Sequence, residues 1–456
     1  MNTPICDFVR RYADEGNLRL HMPGHKGVPL LGVEPLDLTE IDGADSLYEA
    51  DGIIRESEEN ASRLFGSQTF YSTEGSSQCI RAMLLLTLQY AKRHGKRPTV
   101  AAGRNAHRTF LSAVALLDLD VKWLADDTDD SYLSCTPDMN ALEGLLQNEN
   151  ERPVAVYLTS PDYLGNVSDV RAIADLCHRY GVLLLVDNAH GAYLKFLPES
   201  QHPIDLGADL CCDSAHKTLP SLTGAAYLHL SRNVGDATVA QAKNALALFG
   251  STSPSYLILQ SLDMTNQYLS DGYAARLAAF ADEVRDCCQQ LTAQGYRLFG
   301  NEPLKLTLET KSYGYTGSAL SAILQKSGIV CEFADPDFLV LMLTPEVGAD
   351  GLQRLTQSLL EIPNRPAIGQ RPPKAHLPRR VLSVRDATLS DCETLPVEQC
   401  LGRVLAAASV SCPPAVPIIV CGEQIDAQAI EAFRYYGITH CTVVRPPNKN
   451  ARIQSV

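Results

Sequence analysis

Between residues 60 and 230 the chain alternates between two patterns. Stretches such as SSQCIRAMLLLTLQYAKRHG (76–95), HRTFLSAVALLD and VRAIADLCHRYG carry apolar residues every three to four positions, the spacing of a helix with one buried face. The first of these ends on glycine, a common helix stop. Between them lie short, nearly unbroken apolar runs: PTVAAG, VKWLA, PVAVYLTSP, VLLLVDNAHG, ADLCCDSAHK and AAYLHL. Such runs are strands buried on both faces, and their alternation with helices predicts an α/β domain around a mainly parallel sheet. Ligands of such sheets bind beyond the carboxyl ends of the strands, where the polar clusters of this chain fall.

Downstream, residues 253–296 predict one or two long helices leaving that domain. LKLTLET, GSALSAILQKSG, IVCEFADPDFLVLMLTP and ADGLQRLTQSLLEI then predict a smaller α+β unit. PNRPAIGQRPPKAHLP (363–378), rich in proline and basic residues, reads as a linker. The expected organisation is an N-terminal segment (1–40), a large α/β domain (41–260), a small α+β region (261–364), a linker (365–379) and a C-terminal domain (380–456).

Hydrophobic residues make up 45% of the 456 and charged residues 20%, the balance of an ordinary soluble globular protein. The net charge of −14 argues against nucleic acid as a partner. No apolar run reaches the ~18 residues of a membrane span, and MNTPICDFVRRYADEGN lacks the apolar core of a signal peptide. None of the 14 cysteines forms a C-x-x-C pair, and many sit in apolar runs, which together predict a reducing, cytoplasmic setting. His21 and His25 resemble a zinc pair, but Pro23 and Gly24 break the helix that would put them on one face. Cys392, Cys400, Cys412, Cys421 and Cys441 lack ligand spacing and read as core. No metal is expected.

Four features carry chemistry. Lys217 follows the strand ADLCCDS, among small and hydroxyl side chains. Burial there would depress its pKa and make it a candidate nucleophile for a Schiff base. Asp187 ends the run GVLLLVD, so its buried charge needs a partner, such as a protonated ring nitrogen, unless it caps a helix or binds a metal. In STEGSSQCIRAM (72–83), Gly75, Ser76 and Ser77 open a long helix and offer free N–H groups and hydroxyls to a phosphate; an ordinary serine cap is the alternative. Ser214 and His216 could add donors to the same phosphate. His107, just after PTVAAG, could stack on a planar ring and move protons. Phosphate turn, histidine, aspartate and lysine fall in that order on strand ends of one sheet.

With these residues in view the chain resembles the pyridoxal-phosphate-dependent ornithine/lysine/arginine decarboxylases of the aminotransferase-like fold (fold type I), in the short bacterial form without a receiver-like domain. LRLHMPGHKG, STEGSSQ, RNAHRT, TSPDYLGNVSDV, LLVDNAHGAY and SAHKTLPSLTGAAYLH match in order and spacing, and PVEQCLGRVLAAASVSCPPAVPIIVCGEQI resembles the family's C-terminal domain. The resemblance implies that Lys217 holds the cofactor covalently and Asp187 pairs with its ring nitrogen. Ala189 would pack under the ring, His107 would stack on its other face and His190 would lie beside it. Gly75, Ser76, Ser77, Ser214 and His216 would hold the phosphate. It further implies decarboxylation of a basic L-amino acid, with Lys217, Asp187 and His107 as the catalytic residues, Glu332 on the substrate side, and a homodimer to whose site HMPGHKG contributes. Three positions depart from the family pattern: Asn188 where glutamate is common, Glu74 where a neutral residue is usual, and Gly224 in place of glutamine. Transamination or elimination on the same cofactor, and a non-catalytic homologue, remain the competing readings.

Overall fold

The computed structural model describes residues 1–124, 132–407, 411–412 and 416–446. The expected C-terminal domain is therefore described in part, its last ten residues lying outside. Two helices that the apolar runs did not announce, α1 (Pro4–Asp14) and α2 (Ile53–Phe65), precede the sheet. The chain then alternates through β1 (Gln68–Ser72), α3 (Gly75–Arg93), β2 (Thr99–Ala102), α4 (Arg108–Leu117), β3 (Asp120–Trp123), α5 (Met139–Gln147), β4 (Ala155–Thr159), α6 (Val170–Arg179) and β5 (Leu183–Asp187). It continues with β6 (Leu210–Asp213), the single-turn α7 (Ala215–Thr218) and β7 (Ala226–Leu230).

These strands form one sheet in the order β1-β7-β6-β5-β4-β2-β3, parallel except for β7, which runs antiparallel to both its neighbours. Both faces are covered, which is why the strands read as unbroken apolar runs. Val100, Tyr157 and Leu185 pack on Met83 and Leu84 of α3 and Phe110 and Val114 of α4. Leu158, Leu184 and Val186 pack on Ile173 and Leu176 of α6 from the other side. The expected mainly parallel α/β architecture of fold type I is the one found, with seven strands in its sheet.

After β7 come the short helices α8 (Asp236–Val239) and α9 (Ala242–Ala247), then the long pair α10 (Tyr256–Ser270) and α11 (Tyr273–Gln294). Strands β8 (Arg297–Phe299), β9 (Lys305–Glu309), β10 (Phe333–Ala334) and β11 (Phe338–Met342) form a second, antiparallel sheet in the order β10-β11-β9-β8. Helices α12 (Gly317–Lys326) and α13 (Gly348–Leu360) accompany it. Beyond lie α14 (Val384–Leu389), β12 (Cys392–Pro396), β13 (Ser411–Cys412), β14 (Val416–Pro417), α15 (Ala427–Tyr435) and β15 (His440–Val444), which pairs with β12.

This last portion is tied to the large sheet by a buried ion pair. Arg104 Nη2 lies 2.6 Å from Glu423 Oε2, with side chains 10% and 3% exposed. The guanidinium also covers the Trp123 ring at 4.9 Å, and Val420 N donates to the same carboxylate oxygen at 2.8 Å. Arg104 stands three residues before His107, so the far end of the chain braces the loop that carries one of the candidate site residues.

Candidate active site

The carboxyl ends of β5 and β6 lie side by side, with Asp187 opposite Cys212 in the parallel register. Asp187 is 2% exposed. Its carboxylate accepts from Tyr157 Oη at 3.1 Å, from the Ala189 N–H at 3.2 Å and from Cys212 Sγ at 3.6 Å. Neutral donors therefore hold this buried anion, and none of the three brings a positive charge. Such a carboxylate is suited to a cationic N–H.

Past β6, Ser214 starts α7 and places Lys217 one turn on. Lys217 is half-buried, and its Nζ lies 3.1 Å from His190 Nε2. Burial lowers the lysine pKa and the Lys305 cation adds to this, against the opposing charges of Asp187 and Glu332. The fraction of neutral, nucleophilic amine rises accordingly. His190 is 6% exposed; burial pushes its pKa well below the ordinary value, and Lys217 and Lys305 push the same way. Its Nδ1 is buried without a hydrogen-bond partner among the described residues. That orphaned atom is what a polar group of a bound ligand would satisfy.

His107 caps the N-terminus of α4, its Nδ1 accepting from the Thr109 N–H at 3.2 Å and lying 2.9 Å from Thr109 Oγ1. Burial lowers its pKa too, helped by the positive charges of Lys217, Arg108 and Arg81 and opposed by Asp187. A neutral ring accepting at Nδ1 keeps its proton on Nε2.

The turn before α3 has the form of an anion cradle. Gly75 has φ +72°, and a Cβ there would meet no atom within 4 Å, so the helix start faces open space. Ser214 Oγ donates to Ser76 Oγ at 2.8 Å, bringing two of the expected phosphate ligands together across 138 residues of sequence. Ser77 Oγ lies 3.2 Å from Thr109 Oγ1. His216 turns its Nδ1 to the Ala225 carbonyl at 3.0 Å, so Nδ1 donates and Nε2 remains an acceptor when the ring is neutral.

Two of the departures find reasons here. Gly224 has φ +99°, a Cβ on it would come within 2.9 Å of the Thr73 carbonyl, and its own carbonyl accepts from the Gly75 N–H at 2.7 Å. A glutamine could not lie this close to the cradle in this conformation. Glu74 is exposed, and its carboxylate accepts from the Ser251 N–H.

Several participants are not singled out as site residues by the sequence. Tyr157 reaches Asp187 from the neighbouring strand. Tyr163 stands edge-on to His190, with ring centres 5.2 Å apart, and donates from its hydroxyl to Glu332 at 2.8 Å. Glu332 is exposed. Lys305, with a side chain only 1% exposed and paired with Glu302 at 2.7 Å, acts on Lys217 and His190 through its charge. The two histidines of HMPGHKG turn to different partners, His21 to Tyr12 and His25 to Asp37.

A buried strand-end carboxylate, a lysine of lowered pKa and an open cradle at a helix start fit pyridoxal phosphate. Comparison with known proteins gives the same answer. The backbone follows that of lysine decarboxylase A from Pseudomonas aeruginosa with a TM-score of 0.80 at 16% identity, over 97% of this chain and 80% of that one. It follows the Francisella novicida lysine decarboxylase LdcF with a TM-score of 0.78, also at 16% identity, over 97% and 81%. At such identities the likeness concerns the fold. In sequence the chain is 29% identical over 469 residues to an uncharacterized Bacillus subtilis protein, YaaO, covering 94% of this chain and 93% of the relative. It is 27% identical over 465 residues to the arginine decarboxylase of the same organism, covering 94% and 92%. Residues 3–294 match the family model "Orn/Lys/Arg decarboxylase, major domain" and residues 372–447 the corresponding C-terminal domain. The chain belongs to the Orn/Lys/Arg decarboxylase family, whose members are pyridoxal-phosphate-dependent carboxy-lyases.

Proposed function

We propose that this protein decarboxylates a basic L-amino acid, arginine, lysine or ornithine, to the corresponding di- or polyamine. The observation that carries the reading is the pairing of a buried, neutrally solvated Asp187 with a lysine of lowered pKa at the ends of adjacent strands. When bound, pyridoxal phosphate supplies a protonated ring that accepts the electron pair left behind as a carboxylate departs. Lys217 would hold it covalently, burial favouring the neutral form of its amine. Asp187 would hold the proton on the ring nitrogen and so keep the ring electron-deficient. Ser76, Ser77 and Ser214 would bind the phosphate, with Ala189 beneath the ring, His107 stacked above it and His190 alongside. The expected Gly75 N–H is instead given to the Gly224 carbonyl, and His216, whose Nδ1 donates to the Ala225 carbonyl, would join only with Nε2 protonated. His107, with its proton on Nε2, and Lys217 are the candidates for returning a proton to the α-carbon.

Choice of substrate rests on the far end of the pocket. Glu332 is the candidate for the distal cationic group, with Tyr163 orienting its carboxylate. Arginine heads the candidates, because relatives from Bacillus subtilis and Halalkalibacterium halodurans that align over at least 94% of this chain are arginine decarboxylases. The test is carbon dioxide release from arginine, lysine and ornithine with added pyridoxal phosphate; a keto acid without carbon dioxide would mark a transaminase instead. Glu332→Gln should raise KM for the preferred substrate by about 10-fold or more, the loss of one charged hydrogen bond, with a smaller change in kcat. An unchanged KM would remove Glu332 from the pocket.

A homodimer is part of the proposal. Leu18, Leu20, Met22, Leu30 and Leu31 are between 70% and 87% exposed on one continuous N-terminal segment, a stretch that a second copy of the chain would cover. Sedimentation should give about twice the 49.6 kDa of one chain; a monomer at micromolar concentration would exclude it.

A further inference from the structure

The sequence of β6 alternates in direction as a strand must: Cys212 turns toward Asp187, and Asp213 turns to the opposite face. There Asp213 gathers donors from three other parts of the chain. Its Oδ2 accepts from Nε2 of His202 and Nε2 of His229, each at 3.1 Å, and its Oδ1 accepts from Asn188 Nδ2 at 2.7 Å. All four residues are completely buried. Thr69 Oγ1 donates to His229 Nδ1 at 2.9 Å, which leaves the His229 proton on Nε2, facing the carboxylate.

Burial opposes a charge on Asp213, but the two imidazoles more than offset it and hold the carboxyl well below its usual range. The group is an anion, so the side chain at 188 must present a donor to it. With the Asn188 amide turned over, a carbonyl oxygen would face the carboxylate at 2.7 Å. Glutamate, the residue common at 188 in the family, would set a second buried negative charge against the first. The departure at 188 is thus matched to the aspartate at 213.

His202, Cys211 and Asp213 also bring ligand atoms within 4.8 Å of one another, as a small metal site would. Here the Nε2 atoms are already spent on the carboxylate, and burial pushes the Cys211 thiol well above its ordinary value, which keeps it protonated and a poor ligand. Hydrogen bonding accounts for the cluster.

We propose that Asn188 and Asp213 are a positioning pair, whose hydrogen bond fixes the spacing between the ends of β5 and β6 and thereby between Asp187 and Lys217. The proposal rests on the cofactor roles given above to those two residues. Asn188 directly follows Asp187 and its N–H donates to the Cys212 carbonyl at 3.0 Å, so a shift at 188 is passed to the aspartate within one residue. Asp213 directly precedes Ser214, the start of the turn that carries Lys217. Among the described residues neither side chain of the pair hydrogen-bonds to Lys217 or the Asp187 carboxylate; they act through the backbone.

The test is a charge exchange read on cofactor seating, without substrate. Asn188→Asp opposes two buried carboxylates and should weaken pyridoxal phosphate binding on the order of tenfold or more and alter the visible circular dichroism of the bound cofactor. Asp213→Asn alone should be mild, within about threefold, because the Asn188 amide can turn over and accept from the new amide. The double variant Asn188→Asp/Asp213→Asn restores a carboxylate facing an amide and should return to within about threefold of the parent. Should Asn188→Asp not fold, Asn188→Ala removes the donor without adding charge and should weaken cofactor binding severalfold.

A double variant no better than Asn188→Asp would overturn the pairing. So would a single variant at 188 that lowers the thermal midpoint of the apoprotein yet leaves cofactor affinity and dichroism unchanged, since the pair would then hold only the fold. Stoichiometric zinc in the purified protein would assign the cluster to a metal instead. A parent protein that binds no pyridoxal phosphate would strike the functional reading itself, a result separate from failure of the exchange.

Discussion

Lys217→Ala should reduce carbon dioxide release by on the order of 10³-fold or more while the protein still folds. The side chain stands on a single turn at the end of β6, and its only hydrogen-bond partner among the described residues is His190. Alanine suits a helical turn, and what is lost is one half-buried amine that no core cluster uses. The chemical effect is large because the amine is the proposed covalent anchor and one of two candidates for the proton returned to the α-carbon. Borohydride reduction of the parent protein followed by peptide mapping should place the cofactor on the peptide containing Lys217, and the variant should yield no labelled peptide. A variant with parental activity, or a label at another lysine, would remove Lys217 from the chemistry.

The second large effect is expected at Asp187. Asp187→Asn keeps the shape and leaves an oxygen for Tyr157 and the Ala189 N–H, so the protein should fold. It removes the charge proposed to keep the ring nitrogen protonated, and kcat should fall by about 10²–10³-fold, the range seen for loss of one preorganised electrostatic partner. KM should change far less, because no substrate group is assigned to this carboxylate. Asp187→Ala should add a stability loss of about 1–3 kcal/mol, since the Tyr157 hydroxyl would be left buried without its acceptor. A wild-type kcat in Asp187→Asn would show that the ring is held by another group.

The large sheet was legible because its strands are buried on both faces and so appear as apolar runs, with helices of regular spacing between them. Lys217, Asp187, Ser76, Ser214 and His107 were legible for a related reason: each is a polar residue set at the boundary of such a run. The antiparallel course of β7 left no mark in AAYLHL, because hydrophobicity carries no direction. The supporting residues were hidden by register. Tyr157 lies in the middle of an apolar run and reaches Asp187 only because β4 and β5 are adjacent. The Tyr163–Glu332 contact spans 169 positions of sequence. Asn188 could be seen as an oddity, but its reason, Asp213, emerged only once β5 and β6 were laid side by side.

The brace between Arg104 and Glu423 makes the large sheet depend on the far end of the chain. A guanidinium sealed under a tryptophan ring and matched by a single carboxylate from the distant end of the chain is tolerable only while that end is present. The terminal portion is therefore no detachable accessory. Truncation at the proline-rich stretch would leave the buried Arg104 guanidinium without its carboxylate, beside the loop that carries His107.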